Sequence, residues 1–310
     1  MTAAAIALWT GHAPRLDVLA VPAEGLVLSR GLLGDDRMSE PHARLMPVDG
    51  RLEVADLGSK NGTFVAGNRM RDEPLRPHLP VLVRTGRTVL VLVADAAPYA
   101  GVRIERRGEL VVGASLGPVC RAVDDAALAE DNLAIVGAPH VGRALARLYA
   151  AQRSGACATY DGSTSLERAI ASASGPPRTL VLDGVPRDED RATLALWLET
   201  DVRVVTVVDT ALPLASWPAV LALRTVAVPH PRLDEWPTIL HDLAGDVALH
   251  AGAVEAMLLD LWRTGEASAL ARIRDDVATA RAENRGELRD DDLTSAPVQK
   301  YAIGPWTPRG

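Results

Sequence analysis

The spacing of apolar residues changes near residue 100, and no single regular architecture accommodates both patterns. Before that point short apolar runs at Ile6–Trp9, Leu16–Val21, Gly25–Leu28, Ala43–Met46, Leu52–Ala55, Thr63–Ala66, Leu79–Val83 and Thr88–Val93 are separated by turn residues, among them Asp49-Gly50 and Asn61-Gly62. Closely spaced short runs with this punctuation predict an all-β sandwich or barrel. Beyond residue 130, apolar runs at Leu133–Val136, Thr179–Leu182, Val202–Val208 and Ala222–Val228 alternate with Ala/Leu/Arg-rich stretches of helical period. That alternation is the pattern of βα units on a parallel sheet. Residues 99–130 read as a connector, and residues 286–310, charged and then Pro-containing, as a flexible tail.

Composition narrows the function classes. A chain of 310 residues that is 48% hydrophobic and 24% charged is an ordinary globular protein, of a length for about two domains. Residues 1–100 carry equal numbers of acidic and basic side chains, so the formal charge of −7 belongs to the remainder. This balance argues against a protein devoted to wrapping nucleic acid, and no direct nucleic-acid binding is expected. Lysine occurs only at Lys60 and Lys300; every other basic residue is arginine. Cys120 and Cys157 sit in no ligand pattern and read as small core residues. His78, His140, His230, His241 and His250 have no ligand spacing, so no metal is expected. The first ten residues lack a basic start and runs such as Val89–Ala94 are too short to span a bilayer; a cytoplasmic protein without a membrane partner is expected.

Three segments concentrate hydrogen-bond donors: Ser29-Arg30, then Ser39-Glu40-Pro41-His42-Ala43-Arg44, then Asp56-Leu57-Gly58-Ser59-Lys60-Asn61-Gly62-Thr63-Phe64-Val65. They fall in separate inter-strand loops, where an arginine, a serine and an asparagine can be presented together. A phosphate takes charge-assisted, preferably forked donors, which arginine supplies, with hydroxyl and amide donors around it. Gly58 and Gly62 allow the asparagine loop to turn tightly. The stretch from about residue 5 to residue 95 resembles the forkhead-associated (FHA) domain, whose pattern is roughly Gly-Arg, Ser-x-x-His, then Asp-Leu-Gly-Ser-x-Asn-Gly-Thr. The resemblance implies an eleven-stranded β-sandwich that binds phosphothreonine peptides through loops at one end. By position, Arg30 and Ser39 would contact the phosphate and His42 would brace the serine loop from inside. Asn61 would bond the peptide backbone, Ser59 and Lys60 would line the site, and Gly58 and Gly62 would shape its loop. Two positions depart from the pattern: Ser29 replaces the usual Gly and Glu40 a common Arg. A carboxylate beside a phosphate repels it unless the side chain points away.

In the second half, Leu133–Val136 leads into Gly137-Ala138-Pro139-His140-Val141-Gly142-Arg143-Ala144. Strand, glycine-bounded loop and helix follow in P-loop order, with P-loop spacing from Gly137 to Gly142. Arg143 stands for the phosphate-coordinating Lys and Ala144 for the Mg²⁺-binding hydroxyl. Downstream, Asp183 occupies the Walker B position and Gly184 that of the water-activating Glu. The segments Leu223–Val228, Pro231–Leu240 and Glu255–Asp276 follow in an order that resembles the AAA+ activators of sigma-54 polymerase. Their polymerase-contacting Gly-Ala-Phe-Thr-Gly-Ala loop is missing, and the interval from Arg143 to the next expected strand at Thr179 is too short to hold it.

Together the two resemblances imply a multi-domain β plus α/β chain. Residues 1–98 would be an FHA sandwich, 99–130 a connector, 131–245 a shortened, degenerate P-loop AAA+-like domain, 246–285 a helical lid and 286–310 a tail. The expected function is a bacterial signalling adaptor whose FHA domain recruits a catalytically inactive AAA+-like module to a phosphothreonine-containing protein. It would be a pseudo-ATPase with no cofactor, Gly137, Gly142, Arg143 and Asp183 marking the degenerate nucleotide site. The alternative is a sigma-54-dependent transcriptional regulator with residual ATP binding or ATPase activity.

Overall fold

The computed structural model describes residues 2–71, 73–210 and 223–294. The chain divides into two units, Met1–Ile104 together with Arg232–Gly310, and Glu105–Pro231. The second unit is therefore an insertion in the sequence of the first.

The first unit begins with nine strands: β1 (Ala4–Thr10), β2 (Ala13–Ala20), β3 (Leu26–Leu28), β4 (Ala43–Val48), β5 (Arg51–Asp56), β6 (Thr63–Val65), β7 (Asn68–Arg69), β8 (Val81–Thr85) and β9 (Thr88–Val93). A four-residue helical turn, α1 (Arg30–Leu33), lies between β3 and β4. Among the described residues the strands form a six-stranded sheet ordered β2-β1-β9-β8-β6-β7 and a three-stranded sheet ordered β3-β4-β5; the FHA resemblance implies eleven. Asp49-Gly50 joins β4 to β5 with both residues at positive φ, the two-residue turn whose twist suits a hairpin. Asn61-Gly62 does not close a hairpin. It ends the connection from β5, in the smaller sheet, to β6, in the larger one.

Ala5, Ala7, Leu90 and Leu92 face the smaller sheet and pack with Leu28, Leu45 and Val54. The opposite face of the same strands presents Ile6, Leu8, Val89, Val91 and Val93 to a second core. Both faces of β1 and β9 are therefore covered, which explains why these strands are apolar at successive positions instead of alternating.

The inserted unit opens with the hairpin β10 (Glu105–Arg107) and β11 (Leu110–Val112) and helix α2 (Gly117–Leu128). It continues through β12 (Leu133–Val136), α3 (Pro139–Gln152), β13 (Ala156–Tyr160), α4 (Leu166–Ala171), β14 (Pro177–Asp183), α5 (Arg191–Leu198), β15 (Arg203–Val208) and β16 (Arg224–Ala227). The five strands β12–β16 form one parallel sheet ordered β13-β14-β15-β12-β16. Val181, Val205 and Val207 pack toward α2 and α3, whereas Leu180, Leu182 and Val204 pack toward α4 and α5. The alternating βα reading holds, with one element added. The strand after α3 is β13 at residue 156, not one at Thr179. Its sequence Ala-Cys-Ala-Thr-Tyr carries small residues on an edge strand and little apolar signal. Cys157 is exposed there, while Cys120 is buried.

The remaining elements return to the first unit: α6 (Trp236–Ala244), β17 (Ala248–Leu249), α7 (Ala251–Thr264), α8 (Glu266–Ala282) and β18 (Glu287–Leu288). Residues 246–285 thus belong to the sandwich's unit and not to the α/β unit. Helices α6 and α7 pack on the outer face of the six-stranded sheet, which is as apolar as the inner one, and Leu270 and Ile273 of α8 join the same core from behind them. Helix α7 is buried around nearly its whole circumference, the signature of a core helix. Residues 286–294 are also built into this unit, since β18 pairs with β17 and Leu288 is buried; residues 295–310 of the expected tail lie outside the described residues. Among the described residues no helix is long and apolar enough to cross a membrane.

Candidate functional site

The connections β3–β4 and β5–β6 are laced together by side chains. His42 is fully buried between them. Its Nδ1 accepts the Ser39 amide at 3.0 Å, which leaves Nε2–H to donate to the Gly62 carbonyl at 3.2 Å. Burial pushes the imidazole below its ordinary pKa, against an upward pull from the Gly62 bond and from Asp56 and Asp35. The Ser39 hydroxyl oxygen accepts the Lys60 amide at 3.1 Å, and Asn61 Nδ2 donates to the Arg37 carbonyl at 2.5 Å. The two connections thus act as one surface. Ser39, Lys60 and Asn61 meet on it, and Lys60 and Asn61 are exposed.

Arg30 is the first residue of α1 and is exposed. Its Nε donates to the Met38 carbonyl at 3.1 Å, and its amide to the Ser39 carbonyl at 3.3 Å. One edge of the guanidinium is thereby fixed against the serine loop. Ser29 caps α1, its hydroxyl accepting the Leu32 amide at 3.3 Å. A hydroxyl at this extended position supplies a cap that glycine could not. Glu40 turns back on the same turn, where Oε2 accepts the Gly31 amide at 2.8 Å. That amide bond, then the Ser29 hydroxyl and the Arg30 charge, hold its carboxyl below the usual range despite slight desolvation.

Asp56 organises the second connection and was not among the residues expected to act. Its Oδ1 accepts the Ser59 amide at 2.8 Å, and Oδ2 accepts the hydroxyls of Ser59 and Thr63, each at 2.6 Å. Burial raises its pKa, but these three bonds outweigh burial and leave the carboxyl below its ordinary value. The spacing Asp56, Ser59, Thr63 was the available signal: a carboxylate followed by two hydroxyls around a glycine turn. Ser59 commits its hydroxyl hydrogen to this network rather than to an incoming ligand. Gly58 and Gly62 both take positive φ, at +75° and +80°, and a Cβ on Gly62 would stand 2.6 Å from Arg69 Nε.

In the α/β unit the four residues of the degenerate nucleotide site are differently placed. Gly137 follows β12 at φ +141°, with Val228 only 2.8 Å from where its Cβ would be. Helix α3 already begins at Pro139, so only Gly137 and Ala138 lie between strand and helix. Gly142 is within α3, where an added Cβ would meet Val207 Cγ1 at 2.5 Å. Its lack of a side chain serves close helix–sheet packing. Arg143 Nη1 donates to Asp183 Oδ2 at 2.8 Å across the carboxyl ends of β12 and β14. Residues expected to wrap a phosphate are thus helical, and Pro139 has no amide to offer. Among the described residues no group of three or more His, Cys, Asp or Glu side chains is placed to hold a metal ion.

Residues 24–82 match the FHA domain family. No curated protein matches the chain. Among solved structures, it is similar at 17% identity to one described by a structural and functional analysis of phosphothreonine-dependent FHA domain interactions. That alignment covers 30% of this chain and 96% of the other, with a TM-score of 0.26. It is similar at 22% identity to an FHA domain of an Arabidopsis thaliana hypothetical protein, covering 30% of this chain and 84% of the other, with a TM-score of 0.27. A third is the FhaA FHA domain complexed with the intracellular domain of Rv3910, at 19% identity, 29% and 98% coverage and a TM-score of 0.24.

Proposed function

We propose that this protein is a phosphothreonine-dependent adaptor. Its FHA domain captures a phosphorylated partner on the surface made by the β3–β4 and β5–β6 connections. The observation that carries the reading is the lacing of Arg30, Ser39, Lys60 and Asn61 into one surface by His42 and by bonds between the two connections. A phosphate dianion there meets the Arg30 guanidinium and the Ser39 hydroxyl, the donor set suited to it. Asn61, with its amide held by Arg37, offers a carbonyl oxygen to a peptide amide alongside. The setting that follows is Ser/Thr-kinase signalling in the bacterial cytoplasm.

The α/β unit acts in this reading as an interaction module without ATP hydrolysis. Its parallel sheet, with glycine-ended β12 inside it, supports an AAA+-like origin. The two-residue β12–α3 connection, the Arg143–Asp183 ion pair and the alanine at 144 support loss of the chemistry. The test is a phosphothreonine peptide library offered to the intact protein beside its unphosphorylated and phosphoserine counterparts. Selective retention of phosphothreonine peptides is the expected result; equal retention of all three sets contradicts the reading.

A further inference from the structure

Glu40 stands where it can compete with the ligand. Its carboxylate accepts the Gly31 amide at 2.8 Å, next in sequence to Arg30, and adjoins Ser39 on its other side. The Ser29 hydroxyl and the charge of Arg30 are near enough to hold the same carboxyl below its usual pKa. A backbone amide, a hydroxyl and a guanidinium are the donors that a phosphate oxygen would seek, and an anion from the chain itself already occupies their neighbourhood. Glu40 is exposed and its carboxylate bonds to this turn, so it can be displaced without disturbing the core.

We propose that Glu40 is the resident anion of the Arg30 turn, an intrachain competitor that an incoming phosphate must displace. The inference rests on the phosphothreonine reading above and adds how that site is regulated. With the carboxylate in place, the turn keeps its geometry while empty. A phosphate must then bring enough charge to outbid one carboxylate, which a dianion does and a peptide carboxylate does not. The consequence is a lowered affinity and a raised selectivity for the dianion over singly charged groups.

The experiment titrates N-acetyl-phosphothreonine N-methylamide into the intact wild type, Glu40→Gln, Glu40→Ala and Arg30→Ala proteins, following backbone amides including Gly31 and Lys60 by NMR. Glutamine keeps an acceptor for the Gly31 amide and removes the charge; alanine removes both. The expected result is binding about fivefold tighter to Glu40→Gln than to wild type, the size of one exposed charge interaction. In that variant the Gly31 resonance should follow the ligand, and the difference should shrink in high salt. Equal or weaker binding to Glu40→Gln, with wild-type binding that Arg30→Ala removes, overturns the competitor role and leaves the phosphothreonine reading standing. Absence of binding to both wild type and Glu40→Gln overturns the phosphothreonine reading, and the competitor role with it.

Discussion

At the scale of single residues, the site depends on groups that bond inward. His42 satisfies an amide and a carbonyl on two different connections while wholly buried. Replacing it by alanine orphans both groups and leaves a cavity, so His42→Ala should lose about 2–4 kcal/mol of stability by denaturant melt. Its depressed pKa gives a sign that can be measured. The folded state favours the neutral ring, so the unfolded chain binds the extra proton first as the pH falls. Stability should therefore decline from about pH 6.5, the ordinary imidazole value, downward to the lower folded value. A His42→Gln variant should lose His42's share of that slope and keep the share of His250, whose pKa burial also lowers. Asp56, also depressed, adds a second loss below about pH 4 by the same reasoning. These roles were unevenly legible in the sequence. The Ser-x-x-His and Asn-Gly segments point to the two connections, and the spacing of Asp56, Ser59 and Thr63 carries a signal for their network, but it does not show which oxygen Ser59 takes or that Glu40 folds back on Gly31. Those contacts depend on loop geometry, which residue spacing alone leaves open.

At the scale of elements, two junctions decide what the parts can do. Helix α7 is tied to the sandwich by a buried ion pair. Glu255 Oε2 accepts from Arg84 Nε at 2.7 Å and Oε1 accepts the Gly67 amide at 3.0 Å. Arg84 also lies over the Phe64 ring at 3.8 Å. Burial pushes the Glu255 carboxyl upward, and Arg84 and Gly67 pull against it. Removing one partner strands the other, so Glu255→Ala should cost about 3–5 kcal/mol, whereas Arg84→Met with Glu255→Leu should recover most of it in a double-mutant cycle. The second junction is that of β12 with α3. If Gly142 is a packing residue, Gly142→Ala should destabilise the α/β unit by about 1–3 kcal/mol through its clash with Val207. No destabilisation in a thermal melt would count against that packing. The glycine spacing from Gly137 to Gly142 fits a phosphate loop as a pattern. The structure shows that the same spacing also arises when a strand end and a helix each need a glycine against a valine. Sequence spacing does not distinguish the two, because both demand a missing side chain and only one demands free amides.

At the scale of the whole molecule, the chain is one unit carrying another within its sequence. The strands of the first half were legible as short apolar runs, and so was the α/β alternation, but the destination of the last helices was not. Periodicity says which face of a helix is apolar and not which distant surface it covers. The signal that was present lies in β1 and β9, whose successive buried residues require cover on two faces. Without residues 232–294, Ile6, Leu8, Val89, Val91 and Val93 would face water. At about 1.5–3 kcal/mol per side chain, that exposure amounts to roughly 10 kcal/mol, comparable to the stability of a whole domain. Residues 1–104 expressed alone should therefore fail to give a cooperative thermal transition. A chain with residues 105–231 replaced by a short Gly/Ser linker should retain one. A stable, cooperative 1–104 fragment would contradict the two-faced sheet as a stability requirement. The central claim, capture of a phosphothreonine by the Arg30 surface, is tested most directly by calorimetric titration of the intact protein. A library-selected phosphothreonine peptide would be compared with its unphosphorylated form and with the Arg30→Ala protein. The account predicts binding of the phosphorylated peptide alone, weakened about tenfold or more by Arg30→Ala; equal affinity for both peptides, or an Arg30→Ala protein that binds as wild type does, would contradict it.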